Sequence, residues 1–291
     1  MNRYRIGLLT ALLAGAVALA GCEAMRGMEV GGVSLSPLAD AGEKLAKSTS
    51  NTSEQEEMLM GKHMAGTLLG ASRLDHNART QQYVNRVGRW LTLHSTRPYL
   101  DWHFGVLADD DINAFAAPGG YVFVTRGLLA ILDNEAELAG VLAHEIGHVT
   151  QRHYVNAMRS NNLMGAAMDV GMLLGDAATQ GQASAEQREF GQRVVNASKQ
   201  LYARGLDKGD EYDADAMALR LMTLAGYDPY AFVAVMQKLD ARTGNDSAMA
   251  LLLQTHPRPA DRLKAMGGTL EALPATGSLA TLEKRFRHEV R

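Results

Sequence analysis

Two histidines four residues apart, with a glutamate directly after the first, stand in the stretch AELAGVLAHEIGHVTQRH as His144, Glu145 and His148. On an α-helix, positions four apart share one face, so both imidazoles can turn a nitrogen toward a single ion about 2 Å away. Glu145 projects beside that face and can hold a water at the ion's open position, the arrangement of the HExxH motif. A hydrolytic zinc takes three protein ligands and keeps the fourth corner for water, so one more His, Asp or Glu must come from elsewhere.

An extended form of the motif would need Gly at 151 and His at 154, but the chain has Gln151 and Tyr154 there. His153 stands one residue off that register and reads as a polar residue at the helix end. The other source is DEYDADAMALRLM, where Glu211 and Asp215 are four apart and share a helix face. Glu211 can then reach the ion while Asp215 accepts the spare ring N–H of a ligand histidine and fixes its tautomer. Alone, Glu211, Asp213 and Asp215 read as an exposed charged face; beside HEIGH in an exported chain, they read as a ligand and its support.

The elements that must position these groups are mostly helical. Ser53 and Glu56 form a capping box for a helix to about Leu69, and Asn77 to His94 is a second helical pattern with Tyr83, Val84, Val87, Trp90 and Leu91 on one side. Pro98 breaks the period. Trp102–Leu107, Asn113–Ala117 and Tyr121–Thr125 read as short strands, the last two joined by Pro118-Gly119-Gly120. Asn134 to His153 is the longest clean helix, with Asn134 and Glu137 as a second capping box and Leu138, Val141, Leu142 and Ile146 as its buried stripe. Met164, Met168 and Met172 read as core packing, with a flexible or membrane-leaning flap as the alternative. Glu186 to Leu224 is helical with an interruption near Gly205–Gly209, and Asp228-Pro229 opens a helix to about Leu239. The expected class is α+β: a mostly helical domain with a small β-sheet next to the HExxH helix.

The 291 residues carry a net charge of -3 and 46% hydrophobic residues, enough for one substantial core or two small ones. Without a broad basic face or a Gly-rich phosphate loop, nucleic acid and nucleotides are not expected partners. At the N-terminus, Arg3 and Arg5 precede an apolar run, Ile6 to Ala20, that is too short for a comfortable membrane span and reads as a secretory signal. Leu19-Ala20-Gly21-Cys22 resembles the lipobox of bacterial lipoproteins, in which the cysteine is acylated and becomes the first mature residue. Cys22 is the only cysteine, which excludes an intramolecular disulfide. Since Glu23 is not the aspartate of an inner-membrane retention signal, analogy favours the outer membrane, periplasmic side. The expected division is signal peptide 1–21, lipidated N-terminus and tether 22–51, main domain 52–265 and C-terminal tail or helix 266–291. The terminal EKRFRHEVR reads as a solvated helix.

HEIGHVTQRH, the downstream EYDAD and the upstream NAFAAPGGYVFVTRGLL together resemble metallopeptidase family 48, the HtpX-like and BepA-like zinc endopeptidases of the gluzincin type, over about residues 52–265. The resemblance implies a zincin-like fold and one Zn2+ per chain held by His144, His148 and Glu211. Glu145 would be the general base, and Asp215 would support the ligands. The family's His-Pro followed by an arginine is matched by His256-Pro257 and Arg262 in THPRPADRL, which implies that His256 lies near the metal and gates it or stabilises the oxyanion. By itself His256 is a loop histidine before a proline, and Arg262 a partner for some carboxylate. The strand of Asn113, Ala114 and Phe115 resembles the cleft edge on which relatives add a substrate as an extended strand; by itself it is an ordinary edge strand.

The function so implied is a lipid-anchored quality-control endopeptidase of the bacterial cell envelope. It would act on misfolded or unfolded envelope polypeptides, with the outer-membrane assembly machinery as a further candidate partner. The competing reading is a periplasmic chaperone or assembly factor for outer-membrane proteins that cuts seldom or never. A third is a structural zinc site closed by a fourth ligand, for which His256 is the candidate.

Overall fold

The computed structural model describes residues 52–160, 185–244, 246–273 and 279–290, with a short strand pair at 29–30 and 33–34. The chain divides into one unit of Met1–Ser53 and another of Glu54–Arg291. In the first, β1 (Glu29–Val30) pairs antiparallel with β2 (Val33–Ser34). The apolar run, Cys22 and the Met164–Met172 stripe lie outside the described residues.

The second unit begins with α1 (Glu54–Ala71), whose first turn carries Glu54, Glu56 and Glu57 where the helix dipole favours carboxylates. In α2 (Ala78–Thr92) the Asn77 side chain accepts the Thr80 N–H at 3.2 Å, closing the N-terminus. Tyr83, Val84, Val87 and Leu91 are buried as the period requires. Trp90 departs from the expectation: it is 47% exposed, and its indole N–H donates to the Ala225 carbonyl at 2.9 Å. The polar edge finds a partner at the rim and the ring stays at the surface.

Strands β3 (His103–Leu107), β4 (Ala114–Ala117) and β5 (Tyr121–Thr125) form a mixed sheet in the order β3-β5-β4. The β3–β5 pair is parallel and β4–β5 antiparallel, which leaves β4 at an edge. The reversal between β4 and β5 needs glycine. Gly120 has a φ of +107°, and a Cβ there would lie 3.0 Å from the Asp101 carbonyl oxygen.

After α3 (Arg126–Ile131) comes α4 (Glu135–Thr150), which carries HEIGH and is buried from Glu135 to Val149. Asn134 accepts the Glu137 N–H at 3.0 Å, and Glu137 reaches back to the Asp133 N–H at 2.8 Å. The helix does not run on to His153. Gln151 and Arg152 turn the chain, Arg152 at a φ of +60°, and His153 opens α5 (His153–Ser160). Then follow α6 (Ala185–Arg204) and α7 (Lys208–Leu224), which are separated at Gly205. Next come α8 (Tyr230–Arg242), α9 (Ala250–Thr255), α10 (Pro259–Ala272) and α11 (Glu283–Val290). α7 crosses α4 at Gly147, where a Cβ would stand 3.3 Å from the Ala214 Cα. That close crossing brings the α7 acids to the histidines. Among the described residues no helix is long and apolar enough to cross a membrane.

The C-terminal helix is solvated over most of its surface, as expected, but it docks through one buried residue. Phe286 is fully buried beside Tyr83, and Arg285 forks onto Glu135 at the start of α4. The Glu135 carboxylate also accepts the Tyr83 hydroxyl at 2.7 Å and the Tyr227 hydroxyl at 2.6 Å. Burial would raise its pKa, but Arg285 and the two hydroxyls outweigh that and hold it below the usual carboxylate value. A depressed folded pKa stabilises the protein above the unfolded value and loses that contribution as pH falls through the folded one. Glu135→Gln is therefore expected to cost about 1–2 kcal/mol at neutral pH, because Arg285 is half exposed and stays solvated without its partner. The difference from wild type should shrink below about pH 4, as read by denaturant unfolding of both proteins at both pH values. An unchanged difference would mean that the charge contributes nothing.

Candidate metal centre

Helix α4 presents His144 and His148 on one face with their Nε2 atoms 3.1 Å apart. Across the Gly147–Ala214 crossing, α7 supplies Glu211, whose oxygens lie 3.7 Å from His144 Nε2 and 3.5 Å from His148 Nε2. A tetrahedral zinc with bonds near 2.0–2.1 Å places its ligand atoms about 3.3 Å from one another, so these separations suit it. His256 follows α9 and brings its Nδ1 to 2.7 Å from the second Glu211 oxygen. His144, His148, Glu211 and His256 thus form a buried cluster with ligand atoms within 4.8 Å of one another, able to hold a divalent metal.

The donor set fits an ion on its own chemistry. Glu211 Oε1 is buried with no hydrogen-bond partner, and the two Nε2 atoms face each other. A carboxylate oxygen and two lone pairs converging without a proton to share are what a cation resolves. Burial, reinforced by His144, holds His148 well below its ordinary pKa, in the neutral form that ligates metals. Burial opposes ionisation of Glu211, but His256, hydrogen-bonded to it at 2.7 Å, outweighs that and keeps the carboxylate charged below its usual range.

Around these donors lies an outer layer. His144 Nδ1–H donates to Asp215 Oδ1 at 2.9 Å, which leaves its Nε2 free to ligate. Asp215 in turn accepts Arg262 Nε at 3.0 Å and Nη2 at 2.5 Å, all three groups being nearly water-free. Burial raises Asp215 and Arg262 more than offsets it, so the acid stays ionised below the ordinary value. Arg262 does pair with a carboxylate, and that carboxylate orients a candidate ligand.

Glu145 is 2% exposed and its Oε2 has no hydrogen-bond partner. Burial pushes its pKa up, since a carboxylate there has lost its water. A small pocket beside it and His144 is walled by Ala114, Val141, Phe232, Met236, Leu239 and Leu252.

The structure brings together His144, Glu145, His148, Glu211, Asp215 and His256, with Ala114 at the rim. Asn113 and Phe115 stand one place to either side on the strand. Asn113 O accepts the Thr125 N–H, so Ala114 and Ala116 turn their backbone groups to the outer edge. That edge is not bare: the Ala116 carbonyl accepts the Tyr202 hydroxyl of α6 at 3.2 Å, and the whole strand is buried.

His153, expected as a polar helix end, is instead buried with its Nδ1 2.9 Å from His148 Nδ1. It occupies for His148 the place that Asp215 occupies for His144. Tyr154, which the motif spacing sets aside as a ligand, is buried with its ring 5.8 Å from that of His148. The only signal for either was proximity in sequence, because their approach depends on the turn at Arg152.

An HExxH helix joined by a glutamate from a crossing helix defines a metal-dependent hydrolase centre of the metallopeptidase class. The chain belongs to Peptidase family M48, whose profile matches residues 78–270. It is 32% identical over 208 residues to the beta-barrel assembly-enhancing protease of Yersinia pestis, covering 72% of this chain and 42% of that protein. The Escherichia coli (strain K12) protein of that name is 33% identical over 215 residues, with the same coverage. The mitochondrial metalloendopeptidase OMA1 of Schizosaccharomyces pombe is 30% identical over 185 residues, 64% of this chain and 51% of that one. The chain spans less than half the length of the two bacterial relatives.

Proposed function

We propose that this chain is a zinc-dependent endopeptidase that cleaves misfolded or unfolded proteins of the bacterial cell envelope. The observation that carries the reading is the convergence of His144, His148 and Glu211 beside the unpartnered carboxylate oxygen of Glu145. Held there, zinc would acidify a water and polarise the scissile carbonyl. Glu145 takes the proton from that water and passes it to the leaving amine. Asp215, backed by Arg262, holds the His144 tautomer; His256, once it leaves Glu211, donates to the developing oxyanion.

The substrate is read as an extended segment laid on Ala114–Ala117, its N–H replacing the Tyr202 hydroxyl at the Ala116 carbonyl. Asn113 and Phe115 frame that register, and the apolar pocket beside Glu145, about 30 Å³ in volume, has room for no more than a small side chain next to the scissile bond. Unfolded chains expose both features; compact ones hide them. In this reading residues 1–21 are a signal peptide, Cys22 anchors the chain to the outer membrane's periplasmic side through 22–51, and 52–265 is the catalytic domain. The relatives named for β-barrel assembly extend the proposal to outer-membrane proteins as substrates and to their assembly machinery as a partner.

Zinc-loaded protein incubated with denatured casein is expected to cleave it, to stop with a chelator and to resume with zinc. Stoichiometric zinc without cleavage would sink the endopeptidase reading. It would favour the holdase and assembly-factor alternative, for which the observation is that His256 and Tyr202 fill the catalytic and substrate positions.

A further inference from the structure

The mechanism above makes no use of Glu57, yet this buried carboxylate ties together the segments that bound the site. It sits in the first turn of α1 at 1% exposure. Its Oε1 accepts Arg97 Nη1 at 2.7 Å and the Gly119 N–H at 3.4 Å. Its Oε2 accepts Arg97 Nη2 at 3.1 Å, Arg152 Nε at 2.8 Å and Arg152 Nη2 at 2.7 Å.

Each partner leads to the metal centre or the cleft. Arg97 Nη1 also donates to the Val149 carbonyl at 3.4 Å, in the last turn of α4. Arg152 is the left-handed residue that ends the α4 turn, and the next residue is His153, whose Nδ1 meets His148 Nδ1. Gly119 lies in the turn that closes the edge strand. α1 is pressed against that turn: a Cβ on Gly61 would overlap the Pro118 carbonyl oxygen at 1.8 Å.

A residue bearing a Cβ is disfavoured at positive φ and persists there only where its surroundings hold it. At Arg152 a charge-assisted fork on a buried acid is one such hold, beside the backbone bonds to Val149 and Asn156. Release of that fork loosens the turn, and with it the approach of His153 to the ligand histidine. We propose that Glu57 is a positioning residue of the metal centre: through Arg152 it sets the turn that seats His153 on His148, and through Arg97 and Gly119 it fixes the metal helix relative to the edge strand. The proposal rests on the metallopeptidase reading.

The test is zinc affinity of the full chain, measured by competition with a chromophoric chelator, beside melting temperature and casein hydrolysis. Glu57→Gln is expected to weaken zinc binding about 10–100-fold, the range for loss of an outer-shell partner. Arg152→Gly, which accepts the positive φ without strain but lacks the fork, should weaken it similarly while melting near wild type. Should Glu57→Gln fail to fold, Arg152→Gly carries the test. His153→Ala combined with Arg152→Gly should bind no more weakly than the weaker of the two alone, because both act through one contact. Wild-type zinc affinity in folded Glu57→Gln or Arg152→Gly, or fully additive losses in the double variant, would overturn the proposal and leave a purely structural ion pair. A wild-type chain that binds no zinc would instead sink the metallopeptidase reading and the proposal with it. Wild-type zinc binding without cleavage would sink only the proteolytic half.

Discussion

Glu145→Gln protein should bind zinc within a few-fold of wild type and hydrolyse denatured casein about 10²–10⁴ times more slowly, the range attributed to a positioned general base. The side chain keeps its shape and its buried place beside His144, so the ligand cluster is undisturbed. What is lost is the capacity to accept a proton. The unpartnered Oε2 has no other work in the fold, so a stability effect should be small or favourable. The same variant separates the two functional readings: a holdase carrying Glu145→Gln rescues a deletion strain, and a protease carrying the same substitution does not. Undiminished cleavage by the purified variant would remove Glu145 from the chemistry.

Glu211→Ala should lose the metal almost completely. The carboxylate is the one anion among the proposed ligands, and it joins the α7 side of the site to both histidines and to His256. Outer partners of metal ligands are worth about 10–100-fold in affinity, so removal of a ligand itself should cost at least about 100-fold. Metal content after dialysis against a weak chelator reads this directly, and hydrolysis should fall in parallel. A variant that still holds one zinc per chain would show that His144, His148 and His256 suffice. Glu211 would then be only an ionic neighbour.

Several features were legible because they are local. The spacing of His144 and His148 is a helix repeat, and the helix that carries them is announced by the Asn134 cap and an apolar stripe that the structure buries. The three strands fall close to the short extended runs read from the sequence, two of them carrying aromatic and β-branched residues, with the glycine turn where positive φ was required. Glu211 and Asp215 were legible as a pair for the same reason, being one turn apart on α7. The family pattern, which links motifs far apart in the chain, made their meeting with HEIGH expected.

Other features are silent at that range. Nothing in HVTQRHY ends the helical period at Thr150, since neither glycine nor proline follows Gly147 there. The break at Arg152 is braced by Glu57 on a different helix, and it turns His153 from a helix end into a neighbour of His148. Trp90 lies on the apolar side of its helix, yet an available carbonyl at Ala225 draws its indole to the rim. The basic helix at the C-terminus is largely solvated, as it reads, but its docking through Phe286 and Arg285 onto Tyr83 and Glu135 could not be read from its own sequence. On its own, then, the sequence determined the helices, the small sheet, the caps and the pairing of donors within single turns, because those depend on contacts three or four residues apart. Which helix crosses at Gly147, which arginine backs Asp215 and which hydroxyl covers Ala116 were decided only by the tertiary structure, because those contacts depend on where the chain returns after long excursions.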